Sequence, residues 1–170
     1  SYASTGLGST NQLAAEFLAA EAGGLKLIHV PYRGGAPAIA DVAAGNVDLF
    51  FGNVSELIGM ARAGKVRVLA LAAKSPSALA PELPLLTREI PALDINNWFG
   101  IVGPAGLPAD IKASLAKLFI DAIADPGNRE PLEKQGLVAL GQGPESFAAY
   151  IKQDRERWAK VVKQGNIRAE

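Results

Sequence analysis

There is no cysteine in the 170 residues, which excludes disulfides, thiol nucleophiles and thiolate metal sites and leaves the redox compartment open. There is no net charge either, with 17 Lys+Arg against 17 Asp+Glu. A balanced chain gives no electrostatic argument for nucleic acid or an anionic membrane, so nucleic acid is not an expected partner and any ligand must be read by local geometry. The single histidine, His29, has no second imidazole with which to share a metal, and no metal or cofactor is expected. It sits in an apolar run and belongs to another strand than the Ser4–Ser9 turn, so no Ser–His–acid relay and no catalytic residue is expected. No apolar run is long enough to span a bilayer, and the first residues lack the basic, apolar and small-residue regions of a signal peptide. What is present is 49% hydrophobic residues, enough to build a core for one domain or two small lobes.

The first dozen residues read as a strand end, a glycine turn and a helix start. Gly6 and Gly8 permit torsions and close approaches that a Cβ forbids, and Ser9, Thr10 and Asn11 are helix-capping types. Such a turn offers N–H groups and a positive dipole end to an anion. It can equally be an ordinary connection whose amides bind water.

The strand–turn–helix unit then repeats. A helix through Leu13, Phe17 and Leu18 ends at Gly23-Gly24, a strand over 25–30 stops at Pro31, and a second glycine turn leads into a helix ending at Gly45. A strand over 47–51 precedes a helix from Glu56 to Gly64, and a fourth strand is expected over 66–72. This alternation predicts an α/β fold with a parallel sheet whose ligand crevice lies beyond the carboxyl ends of the strands. Three loops, Thr5–Gly8, Tyr32–Gly35 and Gly52–Ser55, then point the same way. Four prolines between 75 and 96 mark an irregular crossing, and 98–103 reads as another strand. Helices are expected after Pro108, around 129–135 and from Pro144 to about Lys163. These last helices exceed the strands available to them, so they belong either to the far side of the same sheet or to a second lobe.

Tyr2–Thr10, His29–Ala38, Gly45–Phe50, Ala63–Ala70, Trp98-Phe99-Gly100, Pro104–Pro108 and Trp158–Val162 together resemble the substrate-binding proteins of tripartite tricarboxylate transporters, the Bug or TctC-like family. The resemblance implies a periplasmic two-lobe binding protein that closes over a small organic carboxylate and delivers it to transporter membrane subunits. It implies a periplasmic-binding-protein-like fold with residues 1–97 as the second lobe and 98–170 as a return segment of the first. The family's N-terminal segment would be missing, and a fragment lacking it is expected to bind weakly and to dimerise over its uncovered helices. The positions that match the family's ligand loops are Ser4, Thr5, Gly6, Gly8, Ser9 and Thr10, then Tyr32, Gly34, Gly35 and Ala36, and Asn53. Two positions depart: Gly52 follows Phe51 where an acid is common, which favours a pure carboxylate, and Gln12 stands where a histidine is common.

Arg33 completes the candidate set as a cation that could take a second carboxylate in bidentate fashion, or stand as a solvated loop arginine. His29 reads as packed, Trp158 as core and Trp98 as more open. Two other functions fit the same residues. An enzyme could use Gly6–Asn11 for a phosphate or nucleotide, although the third glycine of a G-x-G-x-x-G turn is replaced by Asn11 and no P-loop lysine follows. A sensor lobe could keep the fold and hand ligand occupancy to a partner.

Overall fold

The computed structural model describes residues 1–165 and 167. The last expected segment, 98–170, therefore ends partly outside the described residues. The chain divides into two compact units, Ser1–Asn97 together with the chain from Arg157 onward, and Trp98–Glu156.

The first unit is built on β1, Tyr2–Ser4, all of whose residues are buried. It is the middle of a three-stranded parallel sheet, between β2 (His29–Pro31) and β3 (Leu49–Phe50), in the order β2-β1-β3. Tyr2 lies opposite His29 on one side and Leu49 on the other. Each strand feeds a helix: α1 (Thr10–Glu21), α2 (Gly35–Ala44) and α3 (Val54–Arg62). Side chains alternate along a strand. Ala3 packs with Ala38 of α2 and with Val47, flanked by Val30, Tyr32, Val42 and Phe50. Tyr2, pointing the other way, donates its hydroxyl to Glu16 of α1. The first two crossover helices thus cover opposite faces, which is doubly wound topology. Ala3 and Ala38 are both fully buried, and their small side chains let α2 sit close to the middle strand.

α1 begins where capping chemistry places it. Ser9 holds an extended backbone and its Oγ accepts from Gln12 N, while the same hydroxyl donates to Gly6 O at 2.7 Å. Ser9→Ala should therefore cost about 1 kcal/mol, read as a lowered urea midpoint with an unchanged m-value. The other face of α1 builds a second cluster, in which Phe17 packs with Leu93 and Val161, bordered by Leu86, Ile90, Ile95 and Trp158. The Trp158 ring meets Phe17 edge-on at 6.3 Å, so its core reading agrees with the structure.

Two expected strands are corrected. Residues 66–70 join no ladder, because the backbone beyond them pairs with the proline-rich crossing instead: Leu71 N donates to Pro84 O and Leu86 N to Leu71 O, both at 2.8 Å. The strand expected over 25–30 forms only at His29–Pro31, since a three-residue partner in β1 offers no longer ladder. The crossing itself is irregular apart from a 3-10 turn at Leu86–Arg88.

The second unit contains α4 (Ala109–Ala124), α5 (Pro126–Lys134) and most of α6 (Pro144–Gln164), within which the unit boundary falls. Trp98 donates its indole N–H to Asp154 at 2.9 Å and meets Phe147 and Tyr150 edge-on. The Phe147 ring lies so close to Gly100 that a Cβ there would fall 2.1 Å from it. The strand expected over 98–103 is also corrected: among the described residues it finds no ladder partner, and Phe99, Ile101 and Val102 are left 78%, 62% and 82% exposed. A strand needs a neighbour to satisfy its backbone, and its apolar residues need a layer to cover them.

Candidate functional site

Because both pairings in the sheet are parallel, the loops after β1, β2 and β3 leave from one edge. The strand order reverses at β1, since α1 leads away to β2 and α2 returns past β1 to β3. The crevice at such a switch point is the usual ligand position in open α/β sheets. Here it falls between the loop after β1, residues 5–9, and the loop after β3, residues 51–53.

The loop after β1 is folded on itself. Gly6 and Gly8 have φ of 133° and 71°, torsions that a side chain strongly disfavours. Gly6 N–H donates to Ser4 Oγ at 3.1 Å, Gly8 N–H to Gln12 Oε1 at 2.7 Å and Ser9 N–H to Gly6 O at 3.3 Å. These amides are thus engaged within the protein. The Thr10 and Asn11 N–H groups, in the first turn of α1, have no protein acceptor among the described residues. No acidic residue stands in that first turn, so the positive end of the helix is uncompensated.

Asn11 joins the two sides of the crevice. Its Oδ1 accepts the Thr5 hydroxyl at 2.6 Å, and its Nδ2 donates to the Phe51 carbonyl. Asn53 lies at the start of α3, donating to Glu56 Oε1 at 3.0 Å and accepting from Asn97 at 3.3 Å.

The loop after β2 is arranged differently. Tyr32 N–H is taken by Ser4 O at 2.9 Å. The Tyr32 hydroxyl donates to Asp41 Oδ2 at 2.7 Å, a bond that lifts the phenol above its usual range and holds the carboxyl below its own. Gly34 (φ 113°) precedes the Gly35 and Ala36 amides at the head of α2. A resident carboxylate already stands there: a Cβ on Gly35 would lie 3.4 Å from Glu56 Oε2. Arg33 is exposed and makes no ion pair among the described residues.

Ser4 and His29 belong to different strands, which in the sequence sets them apart, yet the register places those strands side by side and Ser4 Oγ lies 2.6 Å from His29 Nε2. The pair is not a nucleophile and base in waiting, since Ser4 is fully buried and bonded to Gly6. The Tyr2 ring stacks on the imidazole at 5.0 Å, and burial holds His29 below its ordinary pKa, with the Glu16 carboxylate acting in the opposite direction. Asn11 and Gln12 build the site without having been among the candidate residues. Their polar side chains, just inside a helix start, are the signal in the sequence that points to them.

A doubly wound lobe with an anion-ready helix end at its switch point is the construction of a ligand-binding α/β domain. Comparison with known proteins is consistent with this. Residues 1–167 match the family described as tripartite tricarboxylate transporter family receptor, TctC, and the chain belongs to that family. The UPF0065 protein in the tcbD-tcbE intergenic region of Pseudomonas sp. strain P51 is 34% identical over 99% of this chain, which spans about half (51%) of that relative's length. Among solved structures, R. palustris Rpa4515 with adipate superposes with a TM-score of 0.84 at 28% identity, over 98% of this chain and 56% of that one. The periplasmic binding protein BugD gives 0.83 at 27% identity, over 99% and 57%. The fold is that of the periplasmic binding proteins, in part. Among the described residues no helix is long and apolar enough to cross a membrane.

Proposed function

We propose that the chain is the carboxylate-holding part of a periplasmic solute-binding protein that works by binding, without chemistry, and delivers a small organic carboxylate to a tripartite tricarboxylate-type transporter. The observation that carries the reading is the uncompensated N-terminus of α1 at the β1/β3 switch point, where the Thr10 and Asn11 amides are free to take carboxylate oxygens. The head of α2 is second in line, because Glu56 already stands beside it. Thr5, Ser9 and Asn53 supply polar groups around the first position, and Ser4, Gly6 and Gly8 shape the turn. Tyr32, Arg33, Gly34, Gly35 and Ala36 form the rim of the crevice on the β2 side. That a related structure holds adipate supports a dicarboxylate as the first ligand to try.

In this reading residues 1–97 form one lobe and 98–170 are a return segment of the other, whose Trp158 and Val161 pack back on Phe17 of the first. The remaining half of the relatives' length would supply strands to cover Phe99, Ile101, Val102, Val138 and Leu140, all exposed here. Without it, two copies would cover these surfaces by association.

Calorimetric titration with aliphatic mono-, di- and tricarboxylates, adipate among them, tests the proposal. One or more should bind saturably, and at about 100-fold excess over Kd the native state should gain about 2.7 kcal/mol. Saturable nucleotide or phosphate binding with a silent carboxylate panel would overturn it.

A further inference from the structure

The hydrogen bonds under the first loop fix where the His29 proton sits. Gly8 N–H donates to Gln12 Oε1 at 2.7 Å, which turns the other end of that amide, Nε2, toward the imidazole. Nε2 lies 3.4 Å from His29 Nδ1. An NH2 group has only hydrogens to offer, so Nδ1 presents its lone pair and the ring carries its single proton on Nε2. That N–H points at Ser4 Oγ, 2.6 Å away. Ser4 in turn donates to Gly6 O at 3.1 Å and accepts from Gly6 N–H at 3.1 Å. A continuous chain thus runs from Gly8 through Gln12, His29 and Ser4 back to Gly6, bracketing the turn that opens α1. Gln12 is 5% exposed and Ser4 fully buried, so water does not readily replace a lost partner.

A second proton would go on Nδ1 and aim an N–H at the Gln12 amide hydrogens. To accept it, the amide must rotate, and Gly8 N–H then loses its acceptor. The titratable groups that face the ring are Tyr2 of β1, stacked on it, and Glu16 of α1, which accepts the Tyr2 hydroxyl. We propose that neutral His29, kept in one tautomer by Gln12, is a positioning residue for the Gly6–Ser9 turn, and that its protonation releases the turn and empties the carboxylate site.

The second half of this statement rests on the carboxylate reading above; the first does not. The sign follows from burial, which places the folded-state pKa of His29 below its ordinary value near 6.5. The network is complete above about pH 6.5 and is lost as the pH falls through the lower, folded value.

The test combines three readings on the whole chain from pH 7.5 to 5: imidazole 15N shifts, amide exchange at Gly6 and Gly8, and adipate affinity. Wild type should show the Nε2–H tautomer at pH 7.5. Gly8 protection should then fall as the imidazole titrates, and adipate affinity with it, the affinity by about tenfold for each unit of separation between the free and bound imidazole midpoints. Gln12→Glu provides the discriminating variant, because its carboxylate accepts from Gly8 N–H and from imidazolium Nδ1–H at once. It should raise the His29 midpoint and keep the Gly8 amide protected throughout the range. An Nδ1–H tautomer, or Gly8 protection unchanged across the wild-type His29 titration, overturns the positioning role. Protection that falls while adipate affinity stays level overturns the link to the site. Absence of carboxylate binding at every pH would count against the proposed function, while the shifts and exchange would still decide the role of His29 in the turn.

Discussion

Tyr2→Ala is expected to cost about 3–5 kcal/mol, enough to leave the first unit largely unfolded if its stability is at the low end of the roughly 5–15 kcal/mol usual for domains. Tyr2 is fully buried in the middle strand, between β2 and β3. Its ring stacks on His29 and its hydroxyl is held by Glu16 at 2.5 Å. Truncation removes the ring from between the sheet and α1, and the short strands on either side have little ladder with which to compensate. Tyr2→Phe separates the ring from the hydroxyl: it should cost about 1 kcal/mol, for the donor lost to Glu16. Burial first, and the Glu16 bond second, push the phenol well above its usual pKa. The linked stability is therefore present below about pH 10 and is lost as the pH rises through the higher folded value. Urea denaturation of the three proteins, followed by near-UV and far-UV circular dichroism, checks the order. An alanine variant with a wild-type midpoint would remove β1 from its central role.

The same strand shows what can be read from the chain alone. Three strand–turn–helix units are legible because their punctuation is local: Ser9 before α1, Gly45 in the left-handed conformation after α2, Gly64 beyond α3. The parallel arrangement and the common edge of the three loops follow from that alternation. Strand order does not, because pairing depends on contacts between residues distant in sequence. The unforeseen meeting of Ser4 with His29 is a direct consequence, since it exists only in the register that sets Tyr2 opposite His29. Apolar runs mislead at 66–72 and 98–103 for a related reason. Val66–Ala72 has the composition of a strand, but hydrogen bonds at Leu71 go to Pro84 and Leu86, and composition does not name a partner. In the candidate site, loop positions are legible and the state of their amides is not. Gly6, Gly8 and Tyr32 are ligand candidates by position, yet their N–H groups are engaged by Ser4 Oγ, Gln12 and Ser4 O. Among the described residues the Thr10 and Asn11 N–H groups have no protein acceptor.

Asn11→Asp is expected to weaken carboxylate binding by about 100-fold, roughly 2.8 kcal/mol at 1.4 kcal/mol per decade, while changing stability far less. The substitution replaces one NH2 by one oxygen. Thr5 keeps its acceptor, but the donor to the Phe51 carbonyl is lost and two oxygens now face each other across the crevice. On stability the consequences oppose: losing the bond costs about 1 kcal/mol, and a carboxylate in the first turn of α1 returns about 0.3–1 kcal/mol through the helix dipole. On binding they add. The new carboxylate occupies the positive end of the helix in place of the ligand, and a like charge about 4 Å from an incoming carboxylate costs between about 1 and 4 kcal/mol, depending on local polarity. Asn11→Ala serves as the neutral control, removing the link to Phe51 without adding charge, and should lose only about tenfold, near 1.4 kcal/mol. Raising the salt concentration should narrow the gap between the two variants, because screening acts on the charge and not on the missing bond. Calorimetric titrations of wild type and both variants at low and high salt measure all six affinities. If Asn11→Asp bound carboxylates as tightly as wild type, the ligand could not lie at the head of α1, and the β1/β3 crevice would lose its claim to be the site.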